Sequence, residues 1–141
     1  MESFVPFIIA ALGDIIQFVL TLLAISVPAV CALKGYSFFK TNLISIPVLF
    51  AIIFLGAYLA DIYPLIQLNF MGFDFQGMNE TERMLNVNPA HRDAAAVLYS
   101  SIFGIGWPLK AILAMVFVTP YPSAVWIAWL LAKSSIRPIE R

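Results

Sequence analysis

The stretch FVPFIIAALGDIIQFVLTLLAISVP, residues 4 to 28, is apolar at almost every position. It is long enough to cross a bilayer as a helix, which takes about 20 consecutive apolar residues. The whole chain of 141 residues has the same character, with 62% hydrophobic and 11% charged residues. Soluble domains are about 45–50% apolar and about 25% charged. The sequence therefore predicts an all-α integral membrane protein.

The apolar stretches predict three transmembrane helices within a single membrane domain. The spans are expected at about 4–33, 43–68 and 94–118, and an outer loop at 69–93. The last apolar block, 94–132, would be about 58 Å long as one helix, whereas the hydrocarbon core is about 30 Å thick. We therefore expect TPYP, at 119–122, to turn the chain and 121–133 to form an interfacial or re-entrant segment.

Two alternatives remain for this last block. In the first, the third span falls between Lys110 and Lys133, is kinked at Pro120 and Pro122, and leaves 94–109 on the outer face. In the second, 121–133 forms a fourth, short span, which would place the C-terminus outside the membrane. The prolines can end or bend a helix in either arrangement.

The distribution of basic residues predicts the orientation. The segment 34–42 carries two lysines and no acid, and the C-terminal tail carries Lys133, Arg137 and Arg141 against Glu140. An excess of lysine and arginine in short loops marks the cytoplasmic side. The N-terminus is therefore expected outside and the C-terminus in the cytoplasm, in a bacterial inner membrane or an organellar energy-type membrane.

A carboxylate interrupts the first apolar stretch. Asp14 lies about 15 Å along the helix from Phe4, where a charge costs about 2.5–3.5 kcal/mol on insertion scales. Asp14, Gln17 and Thr21 share one helical face. We expect this face to contact protein, as a helix-packing or partner surface. The alternative is that Asp14 belongs to a proton or ion pathway.

Other residues are expected to anchor the helices at the membrane surfaces. These interface anchors are Tyr58, Asp61, Tyr63, Lys110, Trp126 and Trp129. Asp61 is expected near the outer interface, solvated or bonded to a tyrosine, and Trp126 and Trp129 at headgroup level. Lys110 is expected to extend towards the inner surface, although an ion pair with Asp14 is also possible.

The outer loop carries local folding signals and exposed aromatics. Asn79 followed by Glu82 has the spacing of a capping box, which predicts a short helix at about 80–86. Asn88 and Pro89 predict a second helix start. We expect three loop phenylalanines to contact lipid headgroups or a partner: Phe70, Phe73 and Phe75.

The sequence contains no recognisable catalytic constellation. His91 is the only histidine and Cys31 the only cysteine, so neither a haem held by two histidines nor a zinc site with Cys/His spacing is expected. No glycine-rich phosphate loop occurs, and no basic run indicates nucleic acid. The chain is expected to bind no metal or cofactor by itself, to contact lipids, and not to be an enzyme.

The interpretation that these observations favour is a non-catalytic accessory or assembly subunit of a larger membrane complex. Its partners would be larger integral membrane proteins and membrane lipids. Two alternatives use Asp14 differently. Phage holins are similar in broad outline, being small, with three spans and a charged cytoplasmic tail, which implies a self-assembling pore. A small oligomeric transporter or channel would instead use Asp14 as its coupling carboxylate.

Overall fold

A computed structural model describes residues 4–102 and 106–136, and these residues are helical without any β-strand. The elements are α1 (Val5–Leu33), α2 (Phe38–Phe70), α3 (Glu80–Arg83), a 3-10 turn (Pro89–His91), α4 (Arg92–Ile102), α5 (Trp107–Val118) and α6 (Tyr121–Ile136). The predicted all-α fold is thus confirmed for the part of the chain that the structure describes.

In the part of the chain that the structure describes, three helices are long and apolar enough to cross a membrane, as predicted. Two of them are α1 and α2, and the third is the stretch Trp107–Ser135, which joins α5 to α6. The chain is therefore consistent with an integral membrane protein. Only 6% of the most apolar window of α1 is buried, so most residues of this helix are at least partly exposed.

The third apolar helix does not have the predicted bounds. It begins at Trp107, whereas the sequence predicted a span at 94–118. Pro108 accounts for the difference, because proline lacks the N–H that a helix interior needs but is tolerated in a first turn, where it stands in α5. The observed helix contains the stretch between Lys110 and Lys133, and the alternative placement of 94–109 on the outer face stays a prediction. The interfacial placement of 121–133 is not confirmed, since these residues continue the apolar stretch as α6.

The contacts divide the chain into two compact units. The first unit comprises residues 1–18 and 56–110, and the second comprises 19–55 and 111–141. In the first unit, the start of α1 packs antiparallel against the end of α2. Gln67 donates its amide N–H to the carbonyl of Pro6 at 3.0 Å. A Cβ on Gly13 would lie 3.1 Å from the Tyr63 ring, so glycine permits this close approach.

The loop that follows α2 is folded around its own apolar core. This loop core consists of Leu68, Phe73, Met84, Val87 and Ala95. Phe73 is only 4% exposed and its ring lies 4.8 Å from that of Tyr99. Its predicted role in contacting lipid or a partner is therefore wrong, because the loop folds over it. Phe70 and Phe75 are exposed, and for them the predicted contact with lipid headgroups or a partner stays a prediction.

Local signals in the loop were correctly identified from the sequence. Asn79 caps α3 by accepting the N–H of Glu82 at 2.9 Å, and Glu82 accepts the N–H of Met78 at 2.8 Å. The helix ends at Arg83, earlier than the predicted 86. Asn88 caps the next turn by accepting the N–H of Ala90 at 3.0 Å. These caps supply partners for N–H groups that a helix start leaves unpaired.

In the second unit, side-chain hydrogen bonds join α6 to α1 and to α2. Tyr121 donates to the carbonyl of Ile25 at 2.9 Å, and Ser123 donates to the side chain of Asn42 at 2.9 Å. The indole of Trp126 donates to the carbonyl of Tyr36, in the turn between α1 and α2, at 3.0 Å. These bonds set the position of α6 against the α1–α2 hairpin.

The loop core supplies the first testable prediction. Phe73→Ala should destabilise the loop by about 3–5 kcal/mol, because it removes a buried ring from the core. Amide hydrogen exchange of the detergent-solubilised chain should show faster exchange across α3 and α4. Phe75→Ala is the matched control, since the Phe75 ring is 44% exposed. Equal acceleration by both substitutions would contradict the role assigned to Phe73.

Candidate functional site

Three polar side chains of the apolar helices, those of Asp14, Gln17 and Asp61, lie at one level of the first unit. Gln17 on α1 bonds to Gly56 on α2, and Gly13 lies against Tyr63. Because the two helices run antiparallel, these contacts place Asp14 and Asp61 at the same level. We call the part of the first unit at this level the polar layer. It joins residues that are far apart in sequence.

Asp61 holds the start of α5 in the polar layer. Its Oδ1 lies 2.8 Å from the Nζ of Lys110, and its Oδ2 accepts the backbone N–H of Trp107 at 3.1 Å. Both carboxylate oxygens therefore have partners. A negative charge at a helix N-terminus is also stabilised by the helix dipole.

This ion pair corrects two predictions. Lys110 was expected to extend to the inner surface, but its ammonium group pairs with Asp61 instead. Asp61 was expected to be solvated or bonded to a tyrosine, but its side chain is only 16% exposed. Tyr58 contacts the ring of Trp107 edge to face, with centroids 5.4 Å apart. Sequence reasoning missed the pair because the separation of 49 residues hides it.

Gln17 is satisfied inside the helix pair. Its Nε2 donates to the carbonyl of Gly56 at 2.7 Å, and the side chain is half-buried. Glycine at position 56 has no side chain to keep the amide away from this carbonyl. Gln17 therefore bonds within the chain. The helix-packing or partner role that the sequence predicted for its face stays a prediction.

The predicted Asp14–Gln17–Thr21 face is divided between different surroundings. Gln17 points into the helix pair, whereas Asp14, about 60° around α1 from it, is exposed. Thr21 belongs to the second unit, where it lines an apolar groove of about 360 Å³ with Ile25, Leu49 and Phe117 among others. Asp14 and Gln17 belong to the first unit and Thr21 to the second, and a shared contact surface of the three residues stays a prediction.

Asp14 lies in the middle of an exposed apolar surface. The neighbouring positions on its side of α1 are Phe7, Ala11 and Phe18, and all three are exposed. We call these four residues the Asp14 face. Within the described residues no donor lies in hydrogen-bonding distance of the Asp14 carboxylate. This surface consequently holds a carboxylate in apolar surroundings, without a hydrogen-bond donor from the described part of the chain.

The tryptophans of α6 are held by contacts in the second unit. Trp126 bonds to the Tyr36 carbonyl and packs edge to face on Phe38, with centroids 5.2 Å apart. The ammonium group of Lys133 lies 4.8 Å from the centre of the Trp129 ring. Both tryptophans are half-buried. Their expected depth at the headgroups stays a prediction.

The remaining candidate groups do not form a reactive site. Among the described residues, no three His, Cys, Asp or Glu side chains are close enough to hold a metal ion. His91 lines an open cleft of about 330 Å³ together with Asn86 and Asn88, and its ring packs against Phe7. Cys31 is buried. The cleft presents amide groups and one imidazole, but neither a carboxylate nor a nucleophile.

The Asp61–Lys110 pair leads to the second prediction. Asp61→Asn can keep the bond to Trp107 but loses the ion pair, and Lys110→Met leaves the carboxylate without its cation. Each should cost between about 1 and 3 kcal/mol, because the pair is only partly exposed. Thermal unfolding of the chain in detergent measures this cost.

The double variant provides the decisive comparison. Asp61→Asn combined with Lys110→Met should cost less than the sum of the two single changes, because the groups interact. Lys133→Met is the control, since no carboxylate in the described part of the chain pairs with Lys133. Strict additivity would show that the pair does not stabilise the position of α5.

Comparison of this chain with protein-family models, with curated proteins and with solved structures finds no match. Its own contacts therefore indicate where a function can lie. In the polar layer, Gln17, Asp61 and Lys110 hold the helices of the chain together. Asp14 is the ionisable side chain of this layer that has no such internal role.

Proposed function

We propose that this protein is a non-catalytic accessory subunit of a larger integral membrane complex, and that the Asp14 face contacts the partner. The observation that carries the proposal is the exposed carboxylate of Asp14 on an apolar helix. Its neighbours in the polar layer pair within the chain. In this proposal, the partner supplies the hydrogen-bond donor for the Asp14 carboxylate.

The energetics of the membrane support this assignment. A carboxylate that faces lipid costs about 2.5–3.5 kcal/mol or more, and a hydrogen-bond donor on a neighbouring helix removes much of that cost. The partner is therefore a transmembrane helix with a basic, amide or hydroxyl side chain at the depth of Asp14. Ala11, one turn away, is small and permits close approach of that helix.

The exposed surface of α1 is large enough for such a contact. Phe7 and Phe18 are 59% and 64% exposed on either side of Asp14. They would supply the apolar contact area around a central hydrogen bond. The exposed rings of Phe70, at the end of α2, and Phe75, in the loop that follows, offer a further contact in the first unit.

The proposal includes an orientation and a compartment. The described residues of the second unit contain Lys34, Lys40 and Lys133 and no acid, whereas the first unit holds all the described carboxylates. An excess of positive charge favours the cytoplasmic side. We therefore place the N-terminus outside and the C-terminus in the cytoplasm of a bacterial inner or organellar energy-type membrane.

The third prediction tests the proposed function. The tagged chain, purified from its native membrane in a mild detergent, should retain a fixed set of larger membrane proteins identifiable by mass spectrometry. Asp14→Ala should lose these proteins, because it removes the hydrogen-bonding group. Asp14→Asn should keep much of the association, since an amide still accepts a hydrogen bond.

Asp93→Asn is the matched control, because Asp93 is an exposed carboxylate in the first turn of α4 rather than on an apolar helix. It should purify with the same proteins as the unaltered chain. If the unaltered chain purified alone as a defined homo-oligomer, the accessory role would be wrong and a pore or transporter would be favoured. If Asp14→Ala kept every partner, the contact would lie elsewhere.

A further inference from the structure

The second unit has a one-sided charge. Its described residues, 19–55 and 111–136, contain Lys34, Lys40 and Lys133 and no carboxylate. All three lysines are exposed, and none pairs with an acid within the described part of the chain. We call these three residues the lysine rim. Within the described residues of the second unit, no acidic side chain neutralises its positive charge.

Aromatic rings hold two of the lysines at one end of the unit. The Lys40 ammonium lies 4.4 Å from the centre of the Tyr36 ring, and the Lys133 ammonium lies 4.8 Å from that of Trp129. Such cation–π contacts favour particular positions of a flexible lysine side chain. Tyrosine and tryptophan are also the residues that prefer the headgroup region of a membrane.

The hydrogen bond between Trp126 and the Tyr36 carbonyl brings the lysines near one another. Lys40 lies over the Tyr36 ring, and Lys133 follows two turns after Trp126 on α6, about 10 Å along the helix. Lys34 lies in the same turn as Tyr36, next to the end of α1. The three lysines therefore lie at the same end of the second unit, the end that holds the turn between α1 and α2.

An apolar groove lies near the start of α2, and one of its lining residues, Phe39, precedes Lys40 in sequence. Phe39, Asn42, Leu43, Ile46 and Pro47 line it, and its volume is about 290 Å³. Its surface is almost wholly apolar, so hydrocarbon fits it better than water does. A cationic group next to an apolar groove matches a phospholipid, which carries a phosphate next to an acyl chain.

We infer that the lysine rim binds the phosphate group of anionic phospholipids, with an acyl chain lying along the groove on α2. Basic residues at a membrane surface attract anionic lipids, each by about five-fold in association. A zwitterionic lipid carries its own cation next to the phosphate, so it gains less from the rim. The second unit therefore selects anionic lipids from a mixed membrane.

Tryptophan fluorescence of the full chain in vesicles tests this inference. A Trp107→Phe background leaves Trp126 and Trp129 as the reporters, both close to the rim. The vesicles contain phosphatidylcholine with a fixed fraction of phosphatidylglycerol, and bromine is placed on the acyl chains of one or the other lipid. Brominated phosphatidylglycerol should quench several-fold more per molecule than brominated phosphatidylcholine.

Substitution of the rim should remove this preference. With Lys34→Gln, Lys40→Gln and Lys133→Gln combined, the two brominated lipids should quench alike. Arg92→Gln is the control, because Arg92 is an exposed cation of the first unit and should leave the preference unchanged. Raising the salt concentration should weaken the preference of the unaltered chain, since the attraction is electrostatic.

Three results would overturn the inference. Equal quenching of the unaltered chain by both lipids would show that the rim does not select anionic lipids. A preference that survives the triple substitution would place the selective site elsewhere. Abolition of the preference by inorganic phosphate, but not by chloride of the same ionic strength, would indicate a site for a soluble anion.

Discussion

Hydrocarbon offers no hydrogen-bond partner, so each polar group on an apolar helix must find one in protein. This constraint organises the first unit. The amide of Gln17 finds a carbonyl on α2, and the carboxylate of Asp61 finds both the Lys110 ammonium and the start of α5. A packed pair of apolar helices can slide or rotate with little loss of contact, whereas these bonds select one register. Asp14 meets the same constraint without an internal partner.

The two units differ in the contacts that their described residues make. In the first unit, the loop after α2 has its own core, and Arg83 links it together by bonding to the Gly77 carbonyl and to the Tyr99 hydroxyl. In the second unit, aromatic residues and lysines surround the end of the α1–α2 hairpin. A partner contact at Asp14 and a lipid contact at the lysine rim would thus occupy separate parts of the chain. The Asp14 contact would determine association with protein, and the lysine rim would determine the choice of lipid.

Much of the fold was predictable because it follows from local chemistry. The long apolar stretches predicted α1 and α2, and the capping residues Asn79 and Asn88 predicted the helix starts in the loop. The start of the third apolar helix was predicted too early. The apolar composition continues across Pro108, but the helix begins only at Trp107. Phe73 was misjudged for a related reason. Phe70 and Phe75 lie in the same stretch of sequence as Phe73. Only the folded loop shows that the ring of Phe73 is buried and that the other two are exposed.

By itself, the sequence determined that the chain is helical and apolar enough to cross a membrane, because hydrophobicity and capping act over a few neighbouring residues. The sequence also showed that a carboxylate, Asp14, lies within an apolar stretch, where a charge is costly. Only the tertiary structure decided which polar residues pair. Asp61 and Lys110 are 49 positions apart, and Gln17 and Gly56 are 39 apart. Such pairs depend on how the helices pack, and that packing leaves Asp14 on the exposed side of α1.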